Sequence, residues 1–190
     1  MSLISVRNLS VYYDRKPVLN DVSFDVEPGD YICIVGENGS GKTTLMKGIL
    51  GLIPINNGSL FFDEGVQIRH IGYLPQYNPA QKDFPASVFE VVLSGCLNQM
   101  GLKPFYSSRE KRKAINNMEG QQQRVLLARA LCAADKILFL DEPVSGLDPI
   151  ITTEFYQIIQ ELNRAEITVM MISHDVKAAV KNANKILHLD

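Results

Sequence analysis

The chain has 190 residues, 46% of them hydrophobic and 21% charged, with a formal net charge of −2. Those values fit one globular domain able to bury a sizeable core, and they leave no basic excess to draw nucleic acid or an anionic membrane surface. No apolar run nears the roughly 20 residues that cross a bilayer. Met1-Ser-Leu-Ile-Ser-Val-Arg7 lacks the charged and apolar regions of a signal peptide. Cys33, Cys96 and Cys132 show no metal-ligand spacing, so they read as reduced, mostly buried thiols of a cytosolic protein.

In chain order, residues 22–26 alternate apolar and polar side chains and predict a half-buried strand. Pro28-Gly29 is a turn into the apolar run 31–35, a buried strand. A helix follows at 44–50. Asn57-Gly58 predicts a hairpin-type turn before a strand at 59–62, and 70–74 is another short strand. The middle changes character: helices are expected at 88–100, at 107–118 (strongly basic) and at 121–131, where good helix formers dominate. The strand–helix rhythm then returns, with strands at 137–140, 167–172 and 185–189 and helices at about 150–163 and from 175 onward. Continuous apolar runs predict a parallel sheet covered by helices on both faces. The expected organisation is a single domain, with 1–76 and 132–190 forming an α/β core and about 77–131 an inserted helical subdomain.

Two segments carry chemistry. Gly36-Glu37-Asn38-Gly39-Ser40-Gly41-Lys42-Thr43 follows a buried strand and precedes a helix. Gly36, Gly39 and Gly41 let the backbone approach a ligand, and successive N–H groups then form one anion cradle at a helix N-terminus. Lys42 is expected to reach the β- and γ-phosphates of a nucleotide, and the Thr43 hydroxyl to sit on Mg²⁺. The second segment, Ile137-Leu-Phe-Leu-Asp141-Glu142, puts two carboxylates at the C-terminal end of a buried strand, where ligands sit in open α/β sheets. Asp141 is expected to hold the Mg²⁺, and Glu142 to polarise the attacking water as a general base.

With these residues in place, the chain resembles the nucleotide-binding subunit of ABC transporters. Residues 36–44, including Thr44, match that family's Walker A loop, and 137–142 match its Walker B strand with the catalytic glutamate. Gln76 in Tyr73-Leu-Pro-Gln76 matches the Q-loop, Ser145-Gly-Leu-Asp148 the D-loop, and His174 in Ile172-Ser-His-Asp175 the switch histidine. Gly120-Gln121-Gln-Gln-Arg124 matches the end of the signature motif. Tyr13 falls where the family places an aromatic that stacks on adenine, with Tyr12 the neighbouring candidate. The resemblance implies a P-loop NTPase core with a mainly parallel sheet, an N-terminal antiparallel β portion and an inserted α-helical subdomain. It implies ATP hydrolysis with Mg²⁺, in which Gln76 ligates the ion or orients water and His174 bonds the departing γ-phosphate. Asp148 is expected to organise the subunit contact. The implied assembly is a head-to-tail homodimer with ATP at its interface, on the inner face of the cell membrane. Its partners would be an integral membrane permease and an extracytoplasmic substrate-binding protein, with no nucleic acid. Tyr73–Tyr77 and the stretch from Asp83 to Val92 resemble the zinc and manganese uptake branch. A non-transport ABC ATPase of DNA repair or translation and a catalytically silent subunit are the alternatives. His70 and His188 read as structural, and the basic run 109–113 as a solvated helix face.

One departure stands out. The family signature reads Leu-Ser-Gly-Gly-Gln, but Asn117, Met118 and Glu119 precede Gly120 here, so the signature serine and first glycine are absent. Either the chain is a degenerate, inactive relative, or a mobile stretch, on the order of 15–25 residues, belongs between Met118 or Glu119 and Gly120. The second is the expectation, because an intact helix after Gly120 would be odd once the motif it displays had decayed.

Overall fold

The computed structural model describes residues 2–14, 16–63, 65–76 and 122–190. It opens with strands β1 (Ile4–Tyr13) and β2 (Lys16–Val26), followed by β3 (Tyr31–Gly36), α1 (Lys42–Ile49), β4 (Asn57–Phe62) and β5 (Ile71–Leu74). The later half supplies α2 (Gln122–Ala133), β6 (Ile137–Asp141), α3 (Pro149–Arg164), β7 (Thr168–Ile172), α4 (Val176–Asn182) and β8 (Lys185–Leu189). The expected helices at 88–100 and 107–118, together with Gly120 and Gln121, lie outside the described residues.

Five strands form a parallel sheet in the order β5-β6-β7-β3-β8. Strand alternation sorts its side chains between two cores. Ile32, Ile34, Ile137, Phe139, Met170 and Ile172 pack with Leu45, Met46 and Ile49 of α1 and with Ile4, Val6 and Leu9 of β1. Leu138, Leu140, Val169 and Met171 face the other way, onto Leu127 and Ala130 of α2 and Phe155 and Ile159 of α3. Both faces are covered, which is why these strands read as unbroken apolar runs. All five strands point one way, so the residues after β3, β5, β6 and β7 share one edge. The opposite edge is pinned by the buried Asp30, whose Oδ2 accepts from the Glu27 N–H at 2.7 Å and from Lys185 Nζ at 2.8 Å.

A second, antiparallel sheet of order β2-β1-β4 supplies the N-terminal β portion. Here the structure corrects the reading of Asn57-Gly58. The pair is no hairpin turn; it opens β4, where Asn57 lies opposite Ser10 across a register shift in β1. A Cβ on Gly58 would stand 2.5 Å from the carbonyl oxygens of both Arg7 and Asn8, so the glycine serves the close approach of two strands at that bulge. The predicted strand at 22–26 extends back to Lys16, and the helix expected at 121–131 runs as Gln122–Ala133.

Candidate active site

The loop between β3 and α1 is shaped by what a side chain would collide with. A Cβ on Gly36 would meet the Leu189 carbonyl oxygen at 2.1 Å, and one on Gly41 the Leu19 side chain at 2.6 Å and the Val18 carbonyl at 2.8 Å. Both glycines have φ in the region unfavourable to side chains, at 152° and 89°. Gly41 is the residue at which α1 begins, and the loop closes on Ser40 N–H donating to the Glu37 carbonyl at 3.2 Å. Gly39 turns beside Asn38 at φ 88°. The 36–43 turn therefore sits between β8 and the β1–β2 hairpin, at the N-terminus of a helix whose first amides point into it.

Lys42 is buried, and its Nζ donates to the carbonyls of Gly36 at 2.9 Å and Glu37 at 2.6 Å. The ammonium thus spans its own loop from beneath. Thr43, one residue on, crosses to β6: its Oγ1 donates to Asp141 Oδ1 at 3.1 Å. The two segments singled out in the sequence, 98 positions apart, meet at that bond. Thr44 continues the first turn of α1.

Asp141 is almost fully buried, at 1% exposure. Burial pushes its carboxyl above the ordinary range, against the lowering effect of the Thr43 hydrogen bond. The sign follows. A carboxyl with a folded-state pKa above its unfolded value of 3.8 contributes stability below that value and loses it as pH rises through the folded pKa. Above the folded pKa the charged Asp141 therefore destabilises the nucleotide-free fold. Asp141→Asn keeps an acceptor for Thr43 and removes the charge. It is expected to raise the nucleotide-free Tm, by about 2–4 °C per kcal/mol released. Differential scanning calorimetry without magnesium checks this; a lower Tm would show that the charge is net stabilising.

Glu142 adopts a left-handed backbone, φ 47°, unusual for a residue with a Cβ, while its N–H donates to the Ile172 carbonyl at 3.2 Å. That turn swings its carboxylate to the sheet edge, where Gln76 Nε2 donates to Oε2 at 2.9 Å and His174 Nε2 bonds Oε1. Gln76 follows β5 and His174 follows β7, so the three residues come together from three parallel strands. His174 is braced in turn: the Asp175 N–H donates to Ser173 Oγ at 3.1 Å, Ser173 pairs with the Tyr156 hydroxyl of α3, and Asp175 Oδ1 accepts from the Ala178 N–H. Each Glu142 oxygen retains a second lone-pair site, so the carboxylate can still accept from water.

The remaining sequence candidates divide. Tyr13, half exposed at the end of β1, pairs with Lys16 of β2, the strand whose Val18 and Leu19 abut Gly41; Tyr12 is the less exposed of the two. Asp148 caps α3, its Oδ1 accepting from the Ile150 N–H at 2.8 Å, a role the sequence reading did not assign it. Buried Cys33 is pushed up to about 12 by burial, which makes it an inert core thiol. Sequence reasoning missed Tyr73. Its hydroxyl reaches Asp141 Oδ2 at 3.5 Å, and burial together with that carboxylate pushes the phenol upward, so it stays protonated and donates. The sequence carries no signal for it, since it is the pairing register, Tyr73 opposite Phe139, that puts Tyr73 and Asp141 on one face of neighbouring strands.

The donor set suits magnesium. One hydroxyl and one carboxylate leave most coordination positions for phosphate oxygens and water, which is how that ion is usually held. Among the described residues no helix is long and apolar enough to cross a membrane.

Comparison with known proteins gives concordant matches. The family described as ABC transporter matches residues 19–145. The manganese transport system ATP-binding protein MntB of Bacillus subtilis is 38% identical over 196 residues, covering 93% of this chain and 78% of that protein. The zinc uptake system ATP-binding protein ZurA of Listeria innocua is 34% identical over 212 residues, covering 99% of this chain and 82% of that one. That stretch exceeds the 190 residues of this chain, so the Listeria protein carries residues inside the match that this chain lacks. Among solved structures, a chain of an ABC transporter assigned to the metal-chelate type, in an inward-facing conformation, superposes with a TM-score of 0.87. It is 26% identical, covering 100% of this chain and 80% of that chain.

Proposed function

The chain belongs to the ABC transporter family, and from that premise we propose that it is the ATP-hydrolysing subunit of a manganese or zinc uptake system, with the residues of the 36–43 turn and the Asp141–Glu142 pair as its machinery. The observation that carries the assignment of the machinery is the Thr43–Asp141 bond at 3.1 Å, because it joins the phosphate loop to the acidic strand at one point.

Backbone amides of residues 37–43 cradle the phosphates, and Lys42 supplies charge against the β- and γ-phosphates. Thr43, Asp141 and Gln76 would hold Mg²⁺; once bound, the ion would neutralise charge on the phosphate oxygens. Glu142 accepts the proton of the attacking water, Gln76 orients that water, and His174 bonds the departing phosphoryl group. Tyr13 stacks on adenine, an interaction of roughly 1–3 kcal/mol that tolerates other bases.

Two copies of the chain close head to tail around two ATP molecules, with Gly120 and Gln121 of one copy serving the nucleotide site of the other and Asp148 at the contact. ATP favours the closed pair and hydrolysis removes that bias. A separate permease supplies the membrane path, an extracytoplasmic binding protein delivers the cation, and the ATPase pair lies against the inner face of the membrane. A segment carrying the signature serine between Met118 and Gly120 belongs to this reading. The longer matched stretch of the Listeria relative supports it, and an intact mass of 21.2 kDa would contradict it.

Reconstitution with the permease in liposomes tests the function. ATP-dependent uptake of radioactive Mn²⁺ or Zn²⁺, lost when the subunit carries Glu142→Gln, is expected. ATP hydrolysis without uptake of either cation would contradict the cargo assignment.

A further inference from the structure

Strand β5 is short, but each of three residues in and after it has a specific contact. Gly72 lies against α2: a Cβ there would stand 2.4 Å from the Ala130 carbonyl oxygen and 2.8 Å from the Ala134 Cβ. Gln76, two residues beyond the strand, donates to Glu142. Between them, Tyr73 pairs in register with Phe139, and Asp141 lies two residues further along β6 on the same face. The phenol therefore points along the sheet toward the edge where the carboxylate sits.

Asp141 presents two oxygens to this buried edge. Thr43 donates to Oδ1, and the Tyr73 hydroxyl is the donor near Oδ2 among the described residues, at 3.5 Å. The terminal torsion of an aspartate is broad, so a single donor leaves the carboxylate plane free to rotate. Two donors on opposite oxygens fix it. Groups that orient a metal-holding side chain in this way matter nearly as much as the side chain itself, typically 10- to 100-fold in metal affinity.

We propose that Tyr73 is a positioning residue for the metal-holding carboxylate: its hydroxyl donates to Asp141 Oδ2 and sets the plane in which Asp141 meets the cation. The proposal rests on the reading that Asp141 holds the magnesium of bound nucleotide. It also gives β5 a double role, because one strand then steadies Asp141 through Tyr73 and Glu142 through Gln76.

The test uses Mn²⁺ as a spectroscopic substitute for magnesium. Electron paramagnetic resonance titration measures Mn²⁺ affinity in the presence of a nonhydrolysable ATP analogue, for the wild-type chain, Tyr73→Phe, Asp141→Asn and the double variant. Tyr73→Phe keeps the ring and its packing; it is expected to weaken Mn²⁺ binding about 10-fold. Binding of the analogue in EDTA is expected to stay unchanged, a split that a general loss of structure would not give. In the Asp141→Asn background the second substitution is expected to add no further loss. An unchanged Mn²⁺ affinity in Tyr73→Phe overturns the proposal, and so does a second 10-fold loss in the Asp141→Asn background. Should Tyr73→Phe not fold, Tyr73→Met is read by the same criteria. A wild-type chain without analogue-dependent Mn²⁺ binding would instead overturn the underlying reading of Asp141.

Discussion

Glu142→Gln is expected to lower the ATP turnover number by about 10²–10⁴-fold, the range for loss of a positioned general base. Nucleotide binding is expected to survive, because the substitution leaves the phosphate loop untouched. The geometry explains the size of the effect. The Glu142 carboxylate is held from one side by Gln76 at 2.9 Å and from the other by His174. Its backbone sits at φ 47°, a conformation that costs on the order of 1–3 kcal/mol and persists only where the surroundings impose it. A glutamine fits the same space and keeps hydrogen bonds, but it cannot take a proton. The variant should therefore bind ATP and stay in the closed, ATP-held pair. Single-turnover phosphate release beside a binding isotherm measures both halves. Retention of more than about a tenth of the wild-type rate would place the base elsewhere.

Lys42→Ala should fail at the earlier step. Its ammonium is buried at 5% exposure and already oriented by the carbonyls of Gly36 and Glu37. Little ordering cost remains when a triphosphate arrives, so the charge acts at nearly full strength. Each charge-assisted hydrogen bond contributes roughly 1.5–3 kcal/mol, so losing one weakens ATP binding by about 10- to 100-fold and losing two by more. The alanine also leaves two loop carbonyls without their donor, which loosens the cradle itself. Calorimetric titration with a nonhydrolysable analogue separates this variant from Glu142→Gln: affinity falls in one and holds in the other. Equal affinity in wild type and Lys42→Ala would mean that the loop does not carry the phosphates.

These two residues were also the easiest to read in the sequence. Lys42 follows a continuous apolar strand and a glycine-spaced turn, and Glu142 ends another such strand; in a parallel sheet both must emerge at one edge. Burial on both faces makes such strands legible, since every position in β6 and β7 is buried. The β1–β2–β4 sheet was harder. In β1 the alternation breaks after Asn8, at φ 49°, and Leu9, Ser10 and Val11 are buried in succession because the register shifts there. Period-two reading loses a strand at such a bulge. Asn57-Gly58 misled for a related reason: the same dipeptide that favours a tight hairpin also permits two backbones to touch.

Tyr73 and Asp148 show a different limit. A tyrosine in a strand is ordinary, and only the pairing register puts its hydroxyl beside Asp141. Asp148 is expected from the sequence at a subunit contact; that it caps α3 is seen only in the geometry, where its Oδ1 accepts from the Ile150 N–H. The left-handed turn at Glu142 has no sequence mark at all, because glutamate carries no preference for it. It follows from where the chain must go after β6 to bring the carboxylate to Gln76 and His174.

The most direct measurement is a crystal structure of the chain with Mg²⁺ and a nonhydrolysable ATP analogue. The account requires the triphosphate in the 36–43 turn, with the ion held between Thr43 and Asp141 and Glu142 facing the γ-phosphate. A triphosphate bound away from that turn, or an ion remote from Asp141, would contradict it.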